Sequence, residues 1–120
     1  MCVLLAFCFA ATLGGVAHAQ KHLFVVGAGA GSCAEYAEAY RGNPHEVDNF
    51  FLSWAQGYMS AANSLNKDVF LDLNAKRPDE MKRFLRQYCD AHPLADYKDG
   101  VQELLNTLPV VPDVAGRRPY

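Results

Sequence analysis

The chain is expected to fold as an all-α domain, a small bundle of about four short helices with one disulfide. Apolar residues return at three- and four-residue steps in separate segments, and Ser, Pro and Gly stand where those segments begin and end. Cys33 and Cys89 each fall in such a segment, an even pair available for bridging.

Ahead of the first segment lies MCVLLAFCFAATLGGVAHAQ, an apolar run ending in Ala17-His18-Ala19, small residues that suit signal-peptide cleavage before Gln20. Residues 1–19 are therefore read as a signal peptide, cleaved near Ala19, and the protein as exported to the periplasm. No Lys or Arg follows Met1, where export signals usually carry one. No stop-transfer charges flank the run either, which favours cleavage over a retained anchor. Cys8 sits inside the apolar run instead of after it, so neither lipid attachment nor membrane insertion after cleavage is expected. The remaining 101 residues suffice for one domain with one core.

The full chain carries 11 Lys and Arg against 13 Asp and Glu, a net charge of −2 with histidine neutral. That balance offers no basic footprint for nucleic acid or an anionic membrane. Cys2 and Cys8 leave with the signal; Cys33 and Cys89 remain, in a compartment that permits disulfides. A bridge between them is the expected pairing. Buried free thiols or a reactive cysteine are the alternatives, and His92, close behind Cys89, does not by itself establish a catalytic base. By chain entropy, a bridge across a separation of 56 residues contributes about 4 kcal/mol. With no CxxC and only His22, His45 and His92 scattered through the mature chain, no metal site is expected, and no cofactor.

Residues 20–31 read as a flexible Gly-rich leader. Gly27, Gly29 and Gly31 alternate, but the G-x-G-x-x-G spacing and a βαβ unit are missing, so a dinucleotide loop is set aside. The helical domain spans 32–108. Its first helix starts at Ser32, which forms a capping box with Glu35. It places Cys33, Tyr36, Ala37 and Tyr40 on one face and stops at Arg41-Gly42-Asn43-Pro44. The second helix runs over 44–63, with Val47, Phe50 or Phe51, Trp54, Tyr58 and Ala61 as an aromatic stripe toward the core. Glu46, Asp48, Asn49 and Gln56 are expected to face water. Trp54 and Tyr58 are read first as core residues and second as walls of a binding cleft. Gly57 costs about 1 kcal/mol relative to Ala in a helix interior, which suggests close approach of another helix or a kink.

Residues 63–74 match neither a long helix nor a clean strand and are expected to form an ordered connector. Arg77-Pro78-Asp79-Glu80 opens the third helix, with proline in its first turn and two carboxylates near the positive end of the dipole. Met81, Phe84 or Leu85, Tyr88 and Cys89 face inward; Lys82, Arg83, Arg86 and Gln87 face outward; His92-Pro93 ends the helix. A fourth helix, from Ala95 or Asp96 to Leu108, buries Tyr97, Val101, Leu104, Leu105 and Leu108, with Gly100 a weak point in its first turns. Residues 109–120 contain three prolines and form an extended Pro/Arg-containing tail. If the first and third helices lie antiparallel, Cys33 and Cys89 meet at their neighbouring ends.

S-C at 32–33, W-A-Q-G-Y-M-S at 54–60, Y-C-D-A-H-P-L at 88–94 and a last helix opening near A-D-Y-K-D-G-V follow one another behind the export signal. In that order they resemble the HdeA/HdeB family of small periplasmic acid-stress proteins, over residues 32–108. The resemblance implies an all-helical domain held by one disulfide, here Cys33–Cys89. It also implies a dimer at neutral pH that loosens in acid and binds unfolding clients through newly exposed apolar surface. This chain differs from the family in its longer cysteine separation, its WAQGYMSAANS centre and its Pro/Arg-rich tail. As pH falls through about 4, carboxylates become neutral while Lys and Arg stay charged, so self-repulsion favours subunit separation or opening. Phe50, Phe51, Trp54, Tyr58, Phe84 and Leu85 are the candidate apolar protein-binding residues.

The expected function is that of an exported small helical protein binding other periplasmic proteins, including unfolded clients, as an acid-activated chaperone in a stress response. A homodimer is one expected assembly. A periplasmic inhibitor or immunity protein is the first alternative. In general plan only, the chain resembles the small helical, disulfide-containing immunity proteins that protect bacteria from secreted cell-wall amidases. That reading predicts one folded enzyme bound at neutral pH through an exposed loop such as 64–77. A structural envelope-associated domain is the second alternative. Catalysis is not expected: the carboxylates lack a paired spacing, His45 and His92 read as surface or capping residues, and no serine stands in a nucleophile elbow.

Overall fold

Capping chemistry sets the helix starts close to where the sequence predicts them. Ser32 Oγ accepts from the Glu35 amide at 3.1 Å while the Glu35 carboxylate accepts from the Ser32 amide at 2.6 Å, the reciprocal box that starts α1, Cys33–Gly42. Asn43 caps the Glu46 amide and Pro44 takes the first position of α2, Pro44–Leu65, where its missing N–H costs nothing. Helix α3, Pro78–Ala91, begins likewise on a proline, and Glu80 reaches back to accept from the Arg77 amide at 2.7 Å. That bond, supported by the Arg77 charge, holds the Glu80 carboxyl below its usual range. In α4, Tyr97–Asn106, the Asp99 carboxylate accepts from the Asp96 amide at 3.1 Å. The computed structural model describes residues 25–66 and 68–112. The expected signal peptide at 1–19, its cleavage near Ala19, the leader before residue 25 and the tail from residue 113 lie outside the described residues.

The four helices enclose one core. Cys33 and Tyr36 enter it from α1, Leu52, Ala55 and Met59 from α2, and Met81, Leu85 and Cys89 from α3. Tyr97, Val101, Leu104 and Leu105 enter from α4, with Leu108 just beyond its end. Full burial of a side chain of Leu or Met size is worth about 1.5–3 kcal/mol, so this set supplies most of the drive to fold. On α1, α3 and α4 the inward faces agree with the sequence expectation. On α2 the centre of the core is a different stripe. Asp48, Leu52, Ala55 and Met59, at helical spacing, are the buried residues, and Phe51, Trp54 and Tyr58 pack half-buried along the flank. Asp48, expected to face water, is therefore corrected to a buried position, for reasons given below.

Close backbone approach also occurs elsewhere than expected. A Cβ at Gly57 would meet nothing within 4 Å, so neither helix contact nor crowding explains that glycine. The tight approach is at Gly100, where a Cβ would lie 2.7 Å from Tyr88 Cδ1 as α4 crosses α3. Gly29 is tighter still, since a Cβ there would overlap the Trp54 ring. The glycine-rich stretch is thus not a loose leader over its described end. Gly27–Ala30 forms a 3-10 turn laid on α2, with Ala28 and Gly29 buried, and Trp54 Nε1 donates to the Val26 carbonyl at 2.9 Å.

The connector after α2 and the start of the tail form a two-stranded ribbon. Strand β1, Phe70–Leu71, pairs antiparallel with β2, Val110–Val111, with Phe70 opposite Val111 and Leu71 opposite Val110. Asn63 ties the ribbon to α2 by accepting from the Leu71 amide at 2.9 Å and donating to the Leu71 carbonyl at 2.8 Å. Among the described residues no helix is long and apolar enough to cross a membrane.

Candidate functional site

The disulfide brings the start of α1 to the end of α3. Cys33 and Cys89 are joined and fully buried, with Cα atoms 4.7 Å apart, inside the usual bridging range. Three backbone bonds surround the bridge: Cys33 N–H to the Ala95 carbonyl at 2.8 Å, Ala34 N–H to Pro93 at 3.1 Å and Tyr97 N–H to Gly31 at 2.9 Å. His92 stacks on Tyr88 with ring centroids 4.4 Å apart, and its Nδ1 lies 2.9 Å from the Tyr88 carbonyl. Both sulfurs are thus consumed, and the histidine closes the end of α3.

Asp48 is the buried carboxylate of the core among the described residues, and three helices meet on it. Tyr36 of α1 donates its hydroxyl to Asp48 Oδ1 at 2.7 Å, and Arg86 of α3 donates a guanidinium N–H to Oδ2 in an ion pair. The Arg86 guanidinium also lies 5.2 Å over the Tyr40 ring. A carboxylate is tolerated here because both its oxygens are bonded and its charge is matched. Burial, then the hydrogen bond to Asp48, pushes the Tyr36 phenol far above its usual range. Burial, then the Asp48 charge, does the same to Tyr97 of α4. Arg86, expected outward, is consequently half-buried, because the aliphatic stem and guanidinium follow the carboxylate inward.

The six candidate apolar residues divide into three settings. Phe50 points away from the core and is 64% exposed, touching only the edge of Phe51 among the aromatic rings. Phe51 is half-buried between Tyr36 and Tyr97, each 4.8 Å away between ring centroids. Trp54 and Tyr58 stack at 5.3 Å on the flank of α2. The Gly27–Ala30 turn lies over the indole, and the Tyr58 hydroxyl donates to Gln102 at 3.3 Å. Phe84 is half-buried against the core, while Leu85 is fully buried within it and presents nothing to solvent in the folded domain. A further exposed apolar group surrounds the ribbon: Leu65, Val69, Phe70 and Val110.

Beside the Asp48 cluster an open cleft of about 470 Å³ lies between the start of α2 and α3. His45, Lys82, Arg83 and Arg86 line it, and Lys82 Nζ donates to Asn49 Oδ1 at 2.8 Å. Among the described residues no group of His, Cys, Asp and Glu is placed to hold a metal ion. Sequence reasoning missed the Tyr36–Asp48–Arg86 cluster and the basic cleft beside it. The available signal was that Asp48 stands in register with Leu52, Ala55 and Met59, an apolar helical stripe headed by one carboxylate. No protein-family model, no curated protein and no solved structure matches the chain.

Proposed function

We propose that this chain is an exported helical domain that binds other proteins, and that acid increases this binding by loosening the Asp48 cluster. The observation that carries the reading is a buried carboxylate holding α1, α2 and α3 together through Tyr36 and Arg86. Strong acid neutralises carboxylates in general, and half-buried Arg86 depends on a carboxylate for its counter-charge. Breaking a fully buried pair by removing one charge costs roughly 3–5 kcal/mol. Arg86 keeps 27% of its side chain exposed, so about 2 kcal/mol is appropriate here. The other groups facing the cluster act in the same direction or not at all in acid. Tyr36 and Tyr97, both held above the usual phenol range, remain neutral, while the cations Lys82 and Arg83 line the same cleft as Arg86 and repel it.

Loosening the contact between α2 and its neighbours exposes Phe51 and Trp54 next to the already exposed Phe50, enlarging an apolar surface on one helix. The Cys33–Cys89 bridge limits how far α1 and α3 separate, so the opened form stays compact enough to return. A disulfide in the core and the apolar run ending at Ala17-His18-Ala19 both support export to an oxidising compartment, the periplasm. The test compares aggregation of an unfolding client by light scattering at pH 2.5 and pH 7, with size and near-UV dichroism read on the same disulfide-bonded sample. Suppression in acid alone, with loss of near-UV signal, is expected. Equal scattering with and without the protein at pH 2.5 would remove the proposal.

A further inference from the structure

The chain as a whole is net negative, yet three of the seven Lys and Arg among the described residues, Lys82, Arg83 and Arg86, line a single cleft. Two of them are already fixed in place. Arg86 is held by Asp48 and by the face of Tyr40, and Lys82 by Asn49, so little side-chain freedom remains to be lost when a ligand arrives. Arg83 is exposed at the mouth, with no hydrogen bond or ion pair to another described residue. The carboxylates on the same wall do not cancel this charge. Asp48 is committed to Arg86 and Tyr36, Glu80 beside Arg83 is committed to the Arg77 amide and guanidinium, and Asp79 is the remaining carboxylate of the lining.

We propose that this cleft binds a phosphate monoester. Three cations around one open volume present more N–H donors than the two oxygens of a carboxylate can accept, whereas a phosphoryl group offers three terminal oxygens and up to two charges. The volume of about 470 Å³ exceeds a bare ion, and Tyr40 and Pro44 supply an apolar wall for the organic part of the molecule. The site is assembled in the closed fold, so its test at pH 7 can fail or succeed independently of the acid response.

The disulfide-bonded protein is titrated at pH 7 and low salt with glycerol 3-phosphate, with acetate, and with vesicles carrying phosphatidic acid. Saturable binding of the soluble ester identifies a free monoester as the ligand. Saturable binding of the vesicles alone identifies a lipid headgroup. Either supports the proposal if Arg83→Ala weakens it about tenfold or more and Lys82→Gln weakens it as well. Arg83 makes no hydrogen bond among the described residues and touches Glu80 only by its charge, so its variant is expected to keep the wild-type dichroism and a closely similar melting curve. The proposal is overturned if neither phosphate probe saturates, if Arg83→Ala binds as the parent does, or if acetate binds as tightly as glycerol 3-phosphate.

Discussion

Two regions of this domain are closed by different physics. Where α1, α3 and α4 converge, a covalent bridge is surrounded by backbone hydrogen bonds from Cys33, Ala34 and Tyr97, and the mutually packed rings of Tyr36, Phe51 and Tyr97 belong to the same core. At the ribbon, two strands of two residues meet, one asparagine side chain anchors them, and Leu65, Val69, Phe70 and Val110 remain exposed. The first region combines burial, cross-linking and hydrogen bonding, so opening it requires losing all three together. The second has little buried apolar area per ordered residue and opens at low cost. Stability is therefore uneven along the chain, and at neutral pH a partly opened state is expected to keep the clamp while releasing the ribbon.

The most severe way to break this contrast is alkali, which attacks the clamped region. Tyr36 and Tyr97 ionise well above the usual tyrosine value when folded and near pH 10 when unfolded, so their contribution is intact below about pH 10 and lost as pH rises beyond it. Lys98, raised by its hydrogen bond to Asp99, adds a loss in the same direction above about pH 10.5. Absorbance at 295 nm is expected to show these two phenols ionising only together with loss of helical dichroism. Ionisation of all tyrosines ahead of unfolding would contradict the buried cluster. Next in size, replacing Cys33 and Cys89 by Ser is expected to cost about 4 kcal/mol in urea denaturation and to bring the clamped region down toward the ribbon in hydrogen exchange.

Asp48→Asn keeps an acceptor for Tyr36 but leaves Arg86 without a counter-charge, an expected loss of about 2 kcal/mol in urea denaturation at pH 7. A variant as stable as the parent would place the link between the three helices elsewhere. Gly29→Ala puts a methyl into the Trp54 ring and is expected to cost about 1–2 kcal/mol, with a red shift in tryptophan emission as the Gly27–Ala30 turn lifts. Gly57→Ala, which meets no neighbour, is the matching control and is expected to stabilise the helix. The smallest effect falls on the ribbon. Asn63→Ala removes both of its bonds to Leu71 for about 1 kcal/mol and is expected to speed exchange of the Leu71 and Asp72 amides without altering those of Cys33 and Ala34.

Local chemistry in the sequence was enough to determine the helices, their starts at Ser32, Asn43-Pro44 and Arg77-Pro78, and the inward faces of α1, α3 and α4. These depend on caps, prolines and periodicity within about four residues, interactions that exist before any tertiary contact forms, whereas the expected Cys33–Cys89 bridge needed α1 and α3 to bring their ends together. Tertiary structure alone decided that Asp48 turns inward and that Arg86 follows it. It also decided which glycine is crowded and that Phe70 pairs with Val111. Each depends on a partner tens of residues away. A carboxylate read by itself belongs in water, and only the approach of Tyr36 and Arg86 from two other helices makes its burial favourable.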